Sequence, residues 1–150
     1  TMTKLHETVT TRLTRERAFA YIADWSRQQE WDPNTVASKH ASGGDGGPQV
    51  GARYDQQVKK GNSVVPKEYR ITEREAPSRI VLIGEGSGVW TEDIITFAET
   101  EDGTRVDYHA EIKLSGLLGL VQPLLGRGFD AIGKGVVEGM QRELDAQVPA

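Results

Sequence analysis

The segment Thr104 to Leu114, TRVDYHAEIKL, constrains the fold more than any other part of the chain. Val106, Tyr108, Ala110, Ile112 and Leu114 fall on one parity, and Arg105, Asp107, His109, Glu111 and Lys113 on the other. Successive side chains of a strand point to opposite faces, so this alternation describes an antiparallel sheet with one covered face and one wet face. Upstream, from Val50, turn residues punctuate the chain at regular intervals: Gly61-Asn62, Ala76-Pro77-Ser78, Gly84 to Gly88, and Asp102-Gly103. The last is a strong hairpin signal. Between these turns lie GARYDQQVKK, VVPKEYRITERE, RIVLIG and VWTEDIITFAET, which read as further strands.

The flanks differ in period. In KLHETVTTRL, Leu5, Val9 and Leu13 share a parity, which predicts a first strand. Thr14 then stands as N-cap to RERAFAYIADW, with Phe19 and Ile22 on an inner face. A second short helix over SRQQEW stops at Asp32-Pro33, because a residue before proline avoids helical backbone angles. Residues 41 to 49, ASGGDGGPQ, hold four glycines and a proline and read as a loop between two strands. From Gly116 to about Ala146 the chain reads as one long helix. Leu117, Val121, Leu124, Ile132, Val136, Met140 and Leu144 recur at close to helical spacing, and Pro123 either kinks the helix or marks its true start. Helices set against one side of an antiparallel sheet make an α+β domain, and a twisted sheet under one long helix leaves a space between them.

At 150 residues the chain fits one domain, 1–150, with enough length to bury a core. Its formal charge of −4 is a poor basis for binding a phosphate backbone, so no nucleic-acid partner is expected. It has no cysteine, which removes disulfides, thiolate nucleophiles and zinc ribbons. No signal peptide is visible in the polar start, and the stretch Leu114 to Gly126 is too short to span a bilayer and contains Pro123. The expectation is a soluble, cytoplasmic protein, monomer or homodimer, without stable membrane insertion. No HExxH, GxSxG or Walker motif occurs, and neither a metal nor a cofactor is expected.

Five segments carry a family resemblance: AFAYIADWSRQQEWDP (Ala18 to Pro33), VGARYDQ (Val50 to Gln56), EYRITEREAPSRIVL (Glu68 to Leu82), ITFAETEDGTRVDYHAEIKL (Ile95 to Leu114), and the terminal amphipathic helix. In order and spacing the chain resembles the START-related, or SRPBCC, superfamily, in its polyketide cyclase/dehydrase and lipid-transport branch. The resemblance implies a helix-grip fold: a curved antiparallel sheet of about six to seven strands wrapped around the long C-terminal helix, with two short helices after the first strand and a deep apolar cavity. The superfamily hosts binders, carriers, cyclases, dehydratases and chaperone regulators, so no catalytic residue carries over from it.

Sheet parity and the helix pattern nominate the ligand-binding residues as Tyr54, Tyr69, Phe97 and Tyr108 on the strands, with Leu117, Val121, Leu124, Ile132 and Val136 on the helix. Each tyrosine joins an apolar ring to a hydroxyl that needs a partner when buried. Trp25 and Trp31 read as structural, packing the short helices on the sheet, and Trp90 is left open. His6, His40 and His109 read as solvated. Asp93 shares parity with Ile95 and Phe97, Lys67 with Tyr69, and Gln56 with Tyr54, so all three can point inward. The simpler expectation puts Asp93 and Lys67 near strand ends in contact with water. The glycines Gly116, Gly119, Gly126, Gly128, Gly133, Gly135 and Gly139 serve either close packing or a flexible gate. The leading functional reading is a carrier or sensor that binds a hydrophobic small molecule: a lipid, a polyketide or a polycyclic aromatic. The alternatives are a cyclase/dehydratase-like enzyme using Tyr54, Tyr69 and Asp93, and a regulatory module that meets a protein or membrane through Leu117 to Leu125.

Overall fold

A computed structural model describes residues 3–116, 119 and 125–149, with the side chains of 125–127 left aside. The chain runs β1 (Thr3–Thr11), α1 (Arg15–Ile22), a 3-10 helix (Trp25–Glu30), β2 (Thr35–Ser42), β3 (Arg53–Lys60), β4 (Ser63–Glu75), β5 (Arg79–Gly86), β6 (Val89–Thr100), β7 (Gly103–Leu114) and α2 (Leu125–Ala146). The seven strands form one antiparallel sheet in the order β1-β7-β6-β5-β4-β3-β2. Every neighbour from β2 to β7 is joined by a short connection. Only β1 crosses over to pair with the last strand, with Val9 opposite Val106 and Leu5 opposite Ala110. Register shifts in β2 and between Ile71 and Glu73 in β4 insert bulges, and bulges bend a sheet. The result is a helix-grip fold, with α2 lying along the curved face.

The local chemistry follows the sequence closely. The Thr14 hydroxyl accepts the Arg17 N–H at 3.3 Å and so caps α1. Asp24 caps the short helix through the Ser26 N–H, and that helix is 3-10. It ends before Asp32-Pro33, as the proline requires. The glycine loop is shorter than expected on its N-terminal side, because β2 continues to Ser42 before a single 3-10 turn at Gly44–Gly46.

One boundary needs correction. Gly116 does not open a continuous helix, because its φ of +60° is left-handed backbone; the described part of the final helix spans Leu125–Ala146. Of the nominated helix residues, Ile132 and Val136 lie on α2, whereas Leu117, Val121 and Leu124 fall outside the described residues.

The space between α2 and the sheet has two halves. At one end Met140 and Leu144 of α2 are fully buried and belong to one core cluster with Phe19, Ile22, Trp31, Ile95, Phe97 and Val106. Phe19 meets Phe97 edge-on at 5.2 Å between ring centroids, and Trp31 meets Trp25 at 5.6 Å. This half is a solid core. Toward the N-terminal end of α2 the packing opens.

Candidate functional site

The open half is a cavity of about 450 Å³ between the sheet and α2. Its roof is Gly128, Phe129, Ile132 and Val136. Leu5 of β1, Ala110, Ile112 and Leu114 of β7, and Val58, Val65 and Val89 give it apolar walls. Lys59, Lys60, Gly61 and Ser87, all exposed, stand at its rim, so the turns after β3 and β5 frame the mouth. Ile132 belongs to the same end: it lines the cavity yet stays 39% exposed.

The deep end is polar. Asp32, Thr35, Gln56, Tyr69, Thr91, Asp93 and Tyr108 all line it and are all buried, joined by Lys67. Strand register brings several of them together. Tyr69 on β4 pairs with Gly84 on β5, and Gly84 pairs with Thr91 on β6. A Cβ at Gly84 would stand 2.6 Å from the Tyr69 ring, so only glycine lets that ring lie across β5. The Tyr69 hydroxyl then accepts from Thr91 Oγ1 at 3.1 Å and from Lys67 Nζ at 3.0 Å. On β7, the Tyr108 hydroxyl donates to Asp93 Oδ1 at 2.7 Å. The other carboxylate oxygen, Oδ2, is buried without a hydrogen-bond partner among the described residues.

A second network closes the floor. The Asn34 N–H donates to Asp32 Oδ1 at 2.9 Å, while Gln28 Nε2 and Thr35 Oγ1 donate to Oδ2 at 3.2 and 3.1 Å. Gln56 Nε2 donates to Gln28 Oε1 and to Ser38 Oγ, whose own hydroxyl donates to the Trp25 carbonyl. These links tie the 3-10 helix to β2 and β3 and hold Asp32 in place.

Burial dominates the electrostatics. It pushes the Asp93 carboxyl up, against the opposing pull of Lys67 and of the tyrosine hydroxyls. It does the same to Asp32, partly offset by the Asn34 N–H and the Thr35 hydroxyl. Lys67 is pushed down by burial and held up by Asp93 and Asp32. Tyr69 and Tyr108 are raised well above the usual phenol, by burial and then by the charge of Asp93. The floor therefore holds one amine and two carboxyl groups in a low-dielectric site, where burial and their mutual charges set their protonation together.

The structure divides the nominated residues. Tyr69, Tyr108, Ile132 and Val136 line the cavity. Tyr54 and Phe97 do not: Tyr54 packs edge-on against His40 at 5.5 Å, and Phe97 is in the solid half beside Phe19. Burial also raises Tyr54 to about 12. Asp93 and Lys67 are a correction. They do not sit at watery strand ends; Asp93 is 2% exposed and the Lys67 ammonium reaches the buried Tyr69 hydroxyl. The reason is length, because β6 runs from Val89 to Thr100 and puts Asp93 mid-strand opposite Ala110. Asp32, Gln28, Thr35 and Thr91 were not foreseen as site residues. Thr91 shares the parity of Asp93, which is a signal for it, whereas Asp32 reads in the sequence only as a helix stop. Among the described residues, no group of three or more potential ligands could hold a metal ion.

An antiparallel sheet gripping a helix over a cavity with apolar walls and a polar floor defines a START-type domain. The family model for polyketide cyclase / dehydrase and lipid transport matches residues 2–146, and the chain belongs to that family. Among solved structures it is similar to the Zhui aromatase/cyclase from Streptomyces sp. R1128, at 12% identity and a TM-score of 0.77, covering 100% of this chain and 98% of that one. A START superfamily protein from Mycobacterium smegmatis matches at 12% identity and TM-score 0.74, covering 98% and 99%. A conserved protein from Geobacillus kaustophilus matches at 16% identity and TM-score 0.71, covering 96% and 95%. At these identities the likeness is one of fold. No curated protein matches the sequence.

Proposed function

We propose that the protein binds a hydrophobic small molecule, a lipid, polyketide or polycyclic aromatic, in the cavity between the sheet and α2, and acts as a carrier or sensor. The observation that carries this reading is the hollow itself: Met140 and Leu144 of α2 are fully buried, whereas Phe129, Ile132 and Val136 line a space of about 450 Å³ between the helix and the sheet. A collapsed core would gain dispersion contacts there, so the space needs a reason. A ligand burying ~300 Å² of apolar surface gains ~7 kcal/mol. Association costs at least ~4 kcal/mol, so tight binding requires a larger guest or hydrogen bonds at the floor. Tyr69, Tyr108, Asp93 and Lys67 at the floor support that reading, since each carries a polar group.

The test is a fluorescence titration with pyrene derivatives and fluorescent lipids, on the wild type and on Val136→Trp. The larger side chain fills the roof, so binding should weaken at least about tenfold while the thermal melt still shows a folded protein. A folded wild type that takes up none of a broad panel contradicts the reading.

A second reading, a cyclase/dehydratase-like enzyme, draws support from the buried Asp93, whose raised pKa suits a general base beside the Lys67 and Tyr69 donors. Tyr54, the third residue of this reading, packs against His40 and is not among the residues that line the cavity. Turnover of a linear β-ketone that disappears in Asp93→Asn, with binding retained, would favour this reading over a carrier.

A further inference from the structure

The floor of the cavity holds an unmet hydrogen-bond demand. Asp93 Oδ1 takes the Tyr108 proton, but Oδ2 is buried with no partner among the described residues. The Tyr69 hydroxyl accepts from Thr91 and Lys67, keeps its own proton and lies near enough to Asp93 to feel its charge, but no hydrogen bond from it to Oδ2 closes. Buried polar atoms are almost always paired, and an unpaired carboxylate oxygen on a residue that lines a cavity is a place for a ligand's donor. Asp32 makes no such demand, since both its oxygens already accept hydrogen bonds. Lys67 lines the same floor. An ammonium has three donors, and among the described residues its Nζ makes one hydrogen bond, to Tyr69.

We propose that the deep end of the cavity receives a single hydroxyl group, alcohol or phenol, carried by an otherwise apolar ligand, with Asp93 Oδ2 as its acceptor and Lys67 Nζ as its donor. The proposal rests on the ligand-binding reading above and narrows it. A hydroxyl gives one proton and accepts another, so it serves Asp93 Oδ2 and one Lys67 N–H together; Gln56 Oε1, also buried without a partner among the described residues, lies outside that pair. An ether or ketone can accept from Lys67 but leaves Oδ2 bare. A carboxylate, such as a fatty acid, has no proton to give and brings a third negative charge beside Asp93 and Asp32 against one lysine. An ammonium would answer Asp93 but place like charge beside Lys67.

Three probes of one shape separate these cases: 1-hydroxypyrene, 1-methoxypyrene and pyrene-1-carboxylate, titrated by fluorescence anisotropy. The wild type should bind the hydroxyl compound about tenfold more tightly than the ether, and the carboxylate most weakly. In Asp93→Leu the gap between hydroxyl and ether should close, which also shows that it does not come from the size of the methyl group. Asp93→Asn keeps the shape and an acceptor for Tyr108 but puts an N–H donor where Oδ2 was. That donor serves either oxygen, so the gap should shrink to less than about twofold. Equal binding of hydroxyl and ether by the wild type overturns the proposal while leaving ligand binding intact. So does tightest binding of the carboxylate, or a gap that persists in whichever of the two variants folds. If the folded wild type binds no pyrene at all, the ligand-binding reading falls and the hydroxyl site with it.

Discussion

At the scale of single residues, the two faces of β7 give its titratable groups different work. On the outer face, His109 stands directly opposite His6 on β1, and their rings stack at 4.0 Å with an interplanar angle of 13°. Thr8, Arg105 and His6 all reach the Asp107 carboxylate beside them and hold its pKa down. His109 is itself pushed below its ordinary 6.5, first by burial and then by His6. The native state therefore resists a proton that the unfolded chain accepts, and stability should fall as pH drops below that ordinary value. In urea unfolding the wild type should lose stability relative to His109→Gln as pH falls from about 7.5 to about 5.5; Asp93 and Asp32, whose pKa is raised, act with the opposite sign in both proteins and drop out of the difference. Asp107 titrates too low to contribute in that window. On the inner face, Asp93 was legible as inward-facing from parity alone. Its burial was not, because burial depends on how far β6 extends and on what α2 covers, and neither is written at position 93.

At the scale of elements, α2 shows what its glycines do. A Cβ at Gly139 would stand 1.9 Å from the Trp31 carbonyl oxygen, so the helix touches the backbone after the 3-10 helix at that point. Arg142 donates to the Glu30 carbonyl at 3.2 Å along the same contact. Gly128, at the cavity end, has nothing within 4 Å. The helix gains ~1 kcal/mol from alanine in place of glycine wherever space allows. Gly128→Ala should therefore raise stability by up to ~1 kcal/mol. Gly139→Ala should lower it by ~2 kcal/mol or more, because overpacking against backbone outweighs the propensity gain. Paired urea curves decide this. Equal effects at the two sites would mean that α2 does not grip the sheet asymmetrically. The choice between packing and gating was open in the sequence because glycine spacing is the same in both cases, and only the neighbour at each position separates them. The apolar period could not separate Gly116 from the helix, because that period runs on through Leu117 to Leu124, whereas the Gly116 backbone is left-handed.

At the scale of the whole molecule, the architecture was readable because three independent signals agree. They are the alternation in β7, the regular turns from Gly61 to Gly103, and the terminal amphipathic period. The cavity was less so. Tyr69 and Tyr108 line it while Tyr54 and Phe97 do not, although all four share inner-face parity. Parity says which face a residue takes, and the crossing of α2 decides whether that part of the face is filled or hollow. The account stands on a guest lodging in the hollow half. The most direct measurement is a set of intermolecular nuclear Overhauser effects between bound 1-hydroxypyrene and the protein's methyl groups. Contacts to Ile112, Ile132 and Val136 are predicted. Contacts confined to the exposed surface valines Val36, Val50 and Val64 would contradict it.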